Sequence, residues 1–271
     1  MRVGIIGAGT IARLLLQHIR AGDLGAAEVV AVVGRSQTSR GVALAAEFGV
    51  PFLTSIDGLL GCKPEVVVEA ASHEAVRAYG PPLLQAGVAL IVLSAGALVD
   101  DALRETLERA AARHGALLYV PSGGIGGLDA LKAACVAGVD DVTIAVAKPP
   151  AAWKGIPYVV KLGIDLERLT APVTLYEGPA RAGVPHFPAN VNIAAVLSLA
   201  GIGFDRTRLK AVADPRLTHN THTIEVRGKT GNISIKLENV PSPDNPKTAW
   251  LACYSALAAL KAMQAKIRYG T

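Results

Sequence analysis

Aromatic side chains are scarce in this chain, 4% of 271 residues, and cysteine occurs only three times. With so few rings, the core must be assembled from Ala, Val, Leu and Ile, which favours layered α/β architecture over a small aromatic-centred fold. Cys62, Cys135 and Cys253 are odd in number and far apart. That excludes a disulfide framework, and without CxxC or Cys/His spacing no zinc site is expected. A reducing cytoplasm is the compartment that follows. No apolar stretch reaches membrane-spanning length free of Gly, Pro or charge. The opening "MRVGIIGAGT" passes straight into structure, so no signal peptide is expected. Lys and Arg are scattered and never interleaved with aromatics. The net charge of +5 therefore describes a solvated surface, and no nucleic-acid partner is expected.

What is present in the first half is alternation. "RVGIIG", "AEVVAVVGR", "PEVVVEAAS", "ALIVLSAGAL" and "ALLYVPSGG" are apolar throughout and read as buried strands. Between them lie segments of helical spacing, in one of which Pro81-Pro82 should kink or restart the helix. Apolar strands separated by helices mean a parallel sheet covered on both faces, whose ligands bind outside the strands' carboxyl ends. After Pro121 the strands "VTIAVAKPP", "PVTLYEG", "LKAVADP", "HTIEVRG" and "NISIKLEN" carry polar alternation, with "PANVNIAAVLSLAG" as a helix among them. The fold class is thus α/β: a doubly wound parallel sheet over residues 1–121, then a smaller α+β domain with a mixed or antiparallel sheet over 122–244. Residues 245–271 read as one long apolar-striped helix that packs back on the first domain.

The loop Gly7-Ala8-Gly9-Thr10-Ile11-Ala12 reads GxGxxA between the first strand and first helix, the context a Rossmann dinucleotide fingerprint requires. Gly7 permits the tight turn and Gly9 lets backbone amides approach a pyrophosphate. The amides of Thr10 and Ile11 open the helix whose partial positive charge favours phosphate. NAD or NADP is the expected cofactor. The second strand ends in Gly34-Arg35-Ser36, without the acid that binds ribose hydroxyls in NAD sites. Arg35, with Arg40, suits a 2′-phosphate instead. Ala71, Ser72 and His73 end the third strand and Ser94 the fourth, facing the nicotinamide half of the crevice, although capping of the next helix also accounts for His73. The turn Ser122-Gly123-Gly124-Ile125-Gly126-Gly127 is either an anion cradle or an interdomain hinge. Lys148 before two prolines, Asn190 near a helix start and Lys247 in a polar loop are further candidates for contacts to an anion or carboxamide. Two histidines, His219 and His222, stand at the entrance to a strand.

Taken together, "EAASHEAV", "PSGGIGGLDA", "KPP", "FPANVNIAA", "AGIG", "DPRLTHNTHTIEV" and "ENVPSPDNPKTAW" resemble the L-aspartate dehydrogenase family, in family order over nearly the whole chain. The resemblance implies a homodimeric enzyme that oxidises L-aspartate with NAD(P) to iminoaspartate, then oxaloacetate and ammonia, in pyridine-nucleotide biosynthesis. It places the catalytic histidine at His222, leaving His219 a solvated neighbour. It also places cofactor contacts at Gly124 and Asn190. Relatives usually carry Ala where this chain has Gly124, and many have Arg where it has Ala147, which leaves this chain one cation fewer near its substrate. Candidates for neutralising the two substrate carboxylates are Lys148, Lys247, Ser122, His73 and the amides of the 123–127 turn. Hydride leaves Cα only when the amine is neutral, so a base must take an ammonium proton, and an imidazole does this near neutral pH. His222 is expected to serve both this step and the activation of water on the imine, and to turn away from bulk solvent. Dihydrodipicolinate reductases and homoserine dehydrogenases share the fold logic and differ in the second-domain motifs. A non-catalytic NAD(P)H-binding sensor is the alternative of another class.

Overall fold

Residues 1–37, 40–188, 190–242, 245–267 and 269 are described by the computed structural model, leaving aside the side chains of 241 and 245–248. Met1–Pro121 with Cys253–Arg268 make one compact unit, and Ser122–Ala252 make up nearly all of a second.

In the first unit the elements follow as β1 (Arg2–Ile6), α1 (Thr10–Arg20), β2 (Glu28–Val33), α2 (Arg40–Phe48), β3 (Phe52–Leu53), α3 (Ile56–Gly61), β4 (Val66–Glu69), α4 (His73–Gln85), β5 (Ala89–Val92), α5 (Asp101–His114) and β6 (Leu118–Tyr119). The strands form one sheet in the order β3-β2-β1-β4-β5-β6, every pairing parallel. This is the doubly wound order, and its switch point lies between β1 and β4, where a crevice opens at the carboxyl ends. Val3, Ile5, Val66, Val67 and Val68 are fully buried, as a sheet covered on both faces demands.

Several details differ from the sequence reading. The fourth apolar strand stops at Val92, and Ala95–Val99 winds into a 3₁₀ turn behind Ser94. The strand β6 is two residues long, and β3 and α3 have no counterpart in the reading because two-residue strands carry no periodic signal. Helix α4 runs on through Pro81 and Pro82; Gly80, just before them, offers no Cβ to clash with the first ring. At the other end of the chain, Asn245–Ala249 is a strand, leaving the last helix to begin at Trp250.

The second unit comprises α6 (Leu128–Ala137), β7 (Val139–Lys148), α7 (Pro157–Lys161), β8 (Val173–Pro179), α8 (Ala180–Gly183), α9 (Asn192–Ala200), β9 (Thr207–Ala213), β10 (Asn220–Gly228) and β11 (Gly231–Asn239). Its five-stranded sheet has the order β11-β10-β7-β9-β8, antiparallel except for β7 beside β9. One face carries Ile144, Val146, Leu209, Ile224 and Val226, all buried, while Glu225, Arg227, Lys236 and Glu238 alternate onto an exposed face. A short pair, β12 (Pro241–Ser242) and β13 (Asn245–Ala249), precedes α10 (Trp250–Gln264).

From Cys253 onward α10 belongs to the first unit. Cys253, Ala256, Leu257 and Leu260 recur at helical spacing and join Val3, Ile5, Leu15 and Leu16 in one core. Among the described residues, no helix is long and apolar enough to cross a membrane. Because Leu260 is fully buried in that core, Leu260→Ala is expected to lower the unfolding free energy by about 2–5 kcal/mol. Denaturant titration checks this; a loss below about 1 kcal/mol would mean the helix is not integral to the unit.

Candidate active site

The first unit holds a cleft of about 510 Å³ at the β1/β4 switch point, lined among others by Gly7, Gly9, Arg35, Arg40, Ala71 and Ser72. Gly7 has φ +110°, and a Cβ there would fall 2.5 Å from the Ala70 carbonyl oxygen, so only glycine allows β1 to turn beside β4. At Gly9 a Cβ would meet open space; what its absence leaves is room against the helix. Helix α1 starts there with no side-chain cap and no acid in its first turn. The first amides of α1, including those of Thr10 and Ile11, thus point their partial positive charge toward the cleft. An uncapped helix N-terminus behind a glycine turn fits a dinucleotide pyrophosphate. Arg35 and Arg40 both line the end of the cleft next to β2.

Ser36, His73 and Ser94 are not among the described lining residues. Ser72 caps α4, its hydroxyl accepting from the Ala75 amide at 3.3 Å, and His73 is the first residue of that helix. Ser94 is buried and faces Glu69, a residue the sequence reading passed over. Glu69 ends β4 and is 1% exposed. Burial pushes its carboxyl pKa up, while hydrogen bonds from the amides of Ala71, Ser94 and Ser72 and from the Ser94 hydroxyl pull it back down. An acid closing an otherwise apolar strand was the available signal.

In the second unit, sheet register assembles a polar cluster. His222 on β10 lies opposite Val146 on β7 and Leu237 on β11. Lys148 and Asn239 are each two residues beyond those partners, so all three side chains share the inner face at one end of the sheet. His222 is 2% exposed, turned away from bulk solvent. Its Nδ1 is 3.1 Å from the Gly124 carbonyl oxygen, and Asn239 Nδ2 donates to the same oxygen at 2.8 Å. Asn239 Nδ2 also lies 3.0 Å from Nδ1. A carbonyl oxygen only accepts, so the tautomer bonded to Gly124 carries its hydrogen on Nδ1 and its lone pair on Nε2. Nε2 is buried and, among the described residues, has no hydrogen-bond partner. Burial first, then the nearby Lys148 charge, lowers the His222 pKa to about 4, with the Gly124 hydrogen bond opposing. Asn239 escaped the sequence reading because a strand-end asparagine has no local signature.

Lys148 is 3% exposed. Its Nζ donates to the backbone oxygen of Asn190 at 3.0 Å and to Asn190 Oδ1 at 3.2 Å, with the Trp153 ring 5.5 Å away. Among the described residues no carboxylate pairs with it. Burial lowers its pKa to about 8, which leaves it charged at neutral pH. Removing an ammonium from water costs several kcal/mol unless a counter-charge is supplied, so an anion placed beside Lys148 would be stabilised. The structure therefore brings Gly124, Lys148, Asn190 and His222 together. Ser122 precedes the left-handed Gly123 in the turn leading to α6, whose N-cap Gly127 offers no side chain. A Cβ on Gly124 would lie 3.2 Å from that of Ala249, so alanine fits with a slight shift. His219 is exposed and bonded to its neighbour Thr218. Lys247 falls on β13, not at the start of a helix, and its side chain lies outside the described residues.

Comparison with known proteins bears on both units. Residues 129–263 match a family profile described as "Aspartate dehydrogenase, C-terminal", and residues 7–121 one described as "Homoserine dehydrogenase, NAD binding domain". The chain is 44% identical to an L-aspartate dehydrogenase of Methanosarcina acetivorans over 273 residues, 100% of both chains. It is 42% identical to L-aspartate dehydrogenase 2 of Bordetella bronchiseptica, covering 99% of each. Among solved structures, the aspartate dehydrogenase of Thermotoga maritima superposes with a TM-score of 0.75 at 30% identity, over 100% of this chain and 99% of that one. Glycine cleft, buried imidazole and end-to-end similarity converge: the chain belongs to the L-aspartate dehydrogenase family.

Proposed function

We propose that this protein oxidises L-aspartate with NAD or NADP, releasing oxaloacetate and ammonia, and that His222 is its base. The observation that carries this reading is a buried imidazole with a free Nε2 beside a buried, uncompensated lysine. Neutral at physiological pH, Nε2 accepts a proton from the substrate ammonium. The bound nicotinamide supplies the acceptor for the Cα hydride. Once relieved of its proton, the same Nε2 orients and deprotonates the water that attacks the resulting imine. Lys148 receives a substrate carboxylate, and Asn190 keeps its ammonium directed. A bound carboxylate also offsets the Lys148 field, which strengthens His222 as a base when substrate is present. Arg35 and Arg40, with no acid at the end of β2, support acceptance of NADP as well as NAD.

The half-exposed sheet face of the second unit, with Glu225, Arg227, Lys236 and Glu238, supports pairing with a second copy, which light scattering tests. Cys62, Cys135 and Cys253 are in no disulfide, which accords with a cytoplasmic setting, and the imine product accords with a role in pyridine-nucleotide biosynthesis.

The direct test follows reduction of NAD and NADP at 340 nm across a panel of amino acids. Aspartate should be the preferred substrate, and His222→Ala should lower kcat by about 10²–10⁴-fold; an active His222→Ala removes the base assignment. Lys148→Met should raise KM for aspartate by about tenfold or more without lowering the melting temperature, because an uncompensated buried charge has been removed. A lower melting temperature with unchanged KM would make Lys148 structural. The His222 pKa gives a third expectation. The unfolded chain takes up this proton near 6.5 and the folded chain only near 4, so stability falls as pH drops through that window. Relative to His222→Gln, the wild type should lose up to roughly 3 kcal/mol of unfolding free energy across it. A difference that stays flat with pH would contradict the buried neutral imidazole.

A further inference from the structure

Glu69 is the buried acid whose place the mechanism above leaves unused. It terminates β4 at the sheet's switch point, next to β1 on one side and β5 on the other. Its Oε1 accepts from the amides of Ala71 at 2.8 Å and Ser72 at 2.9 Å, and from the Ser94 hydroxyl at 2.9 Å. Its Oε2 accepts from the Ser94 amide at 3.0 Å. All of these partners are donors, and they come from two different strand-to-helix turns. An ionised carboxylate has about four lone-pair directions and no proton to place, which matches this donor set; a carboxamide would turn its NH2 group on one of these donors.

The consequences reach the cleft itself. Ala70, Ala71 and Ser72 line it. The Ala70 carbonyl oxygen is also the atom against which Gly7 closes, 2.5 Å from where a Cβ would stand, and the Ala70 amide donates to Ile6 at 2.9 Å. The turn after β4 and the start of the 3₁₀ turn after β5 thus meet around one side chain, and the glycine turn after β1 packs on the first of them. Turn amides at the carboxyl end of a parallel sheet have no ladder partner of their own. Here a single buried carboxylate supplies it.

We propose that Glu69 is a positioning residue for the cofactor: an internal anion that clamps the β4 and β5 turns in the shape the dinucleotide cleft requires, without itself touching the ligand. The proposal rests on the reading of that cleft as the NAD(P) site.

The test compares wild type with Glu69→Gln and Ser94→Ala by two measurements. In the cofactor-free protein, amide hydrogen exchange by NMR reports on Ala71, Ser72 and Ser94. NADH fluorescence titration then gives Kd. Glu69→Gln keeps the size of the side chain but presents donors to donors. It should speed exchange at all three amides by at least tenfold and weaken NADH by tenfold or more. The cofactor KM should rise with it, while kcat at saturating cofactor stays within about threefold, a split that general loss of folded protein does not produce. Unchanged exchange and a Kd within twofold of wild type would overturn the proposal. Should Glu69→Gln fail to fold, Ser94→Ala, which removes one donor only, decides. Faster exchange at Ala71 and Ser72 with severalfold weaker NADH binding supports the clamp, and wild-type values for both refute it. Wild-type protein that binds neither NADH nor NADPH would instead sink the cleft assignment, leaving the exchange result to judge the clamp alone.

Discussion

A single backbone carbonyl, that of Gly124, organises the chemistry proposed for the second unit. It accepts from His222 Nδ1 and from Asn239 Nδ2, using both lone pairs. That oxygen can only accept, so the tautomer bonded to it carries its hydrogen on Nδ1, and its basic nitrogen, Nε2, is the one with no partner among the described residues. The carbonyl stands where it does because the 122–127 turn leads into α6, and Gly127 leaves no room for a side chain: a Cβ would reach 2.0 Å from Ile235 Cδ1 on β11. The strand that carries Asn239 therefore also limits how the turn can sit.

The two units bury charge in opposite ways. Glu69 in the first is surrounded by donors from its own chain, so its desolvation is offset in part internally and the group acts on the shape of the turns around it. Among the described residues, Lys148 in the second has the oxygens of Asn190 and the face of Trp153. A cation left in that state raises the free energy of the empty protein, and binding an anion recovers the difference. The contrast is informative for function: a satisfied buried ion braces structure, and an unsatisfied one marks where a ligand is bound. His222 Nε2, neutral but buried and without a partner among the described residues, stands beside the second kind.

Much of this was legible in residue order. Apolar strands alternating with helices announced the parallel sheet, since a strand buried on both faces cannot afford polar positions. The GxGxxA turn announced the cleft because few residues besides glycine tolerate the φ of position 7 or permit the approach at position 9. Family motifs pointed to His222, Gly124 and Asn190. Less visible were the two-residue strands and the end of β5 at Val92, where Ser94 turns aside to bond Glu69. The strand at Asn245–Ala249 was hidden for a similar reason: pairing partners, not local propensity, make it a strand.

Composition and periodicity thus determined the class of fold, the glycine cleft and the residue types available for catalysis, because backbone sterics and hydrophobic patterning act over a few neighbours. Only the tertiary structure decided which of those residues meet. The register of β7, β10 and β11 puts Lys148, His222 and Asn239 on one face, and a slip of one residue would send the imidazole to the other. The protonation state of His222, the isolation of Lys148 and the donor cage of Glu69 are likewise properties of packing. Each depends on atoms far apart in the chain that are removed together from water.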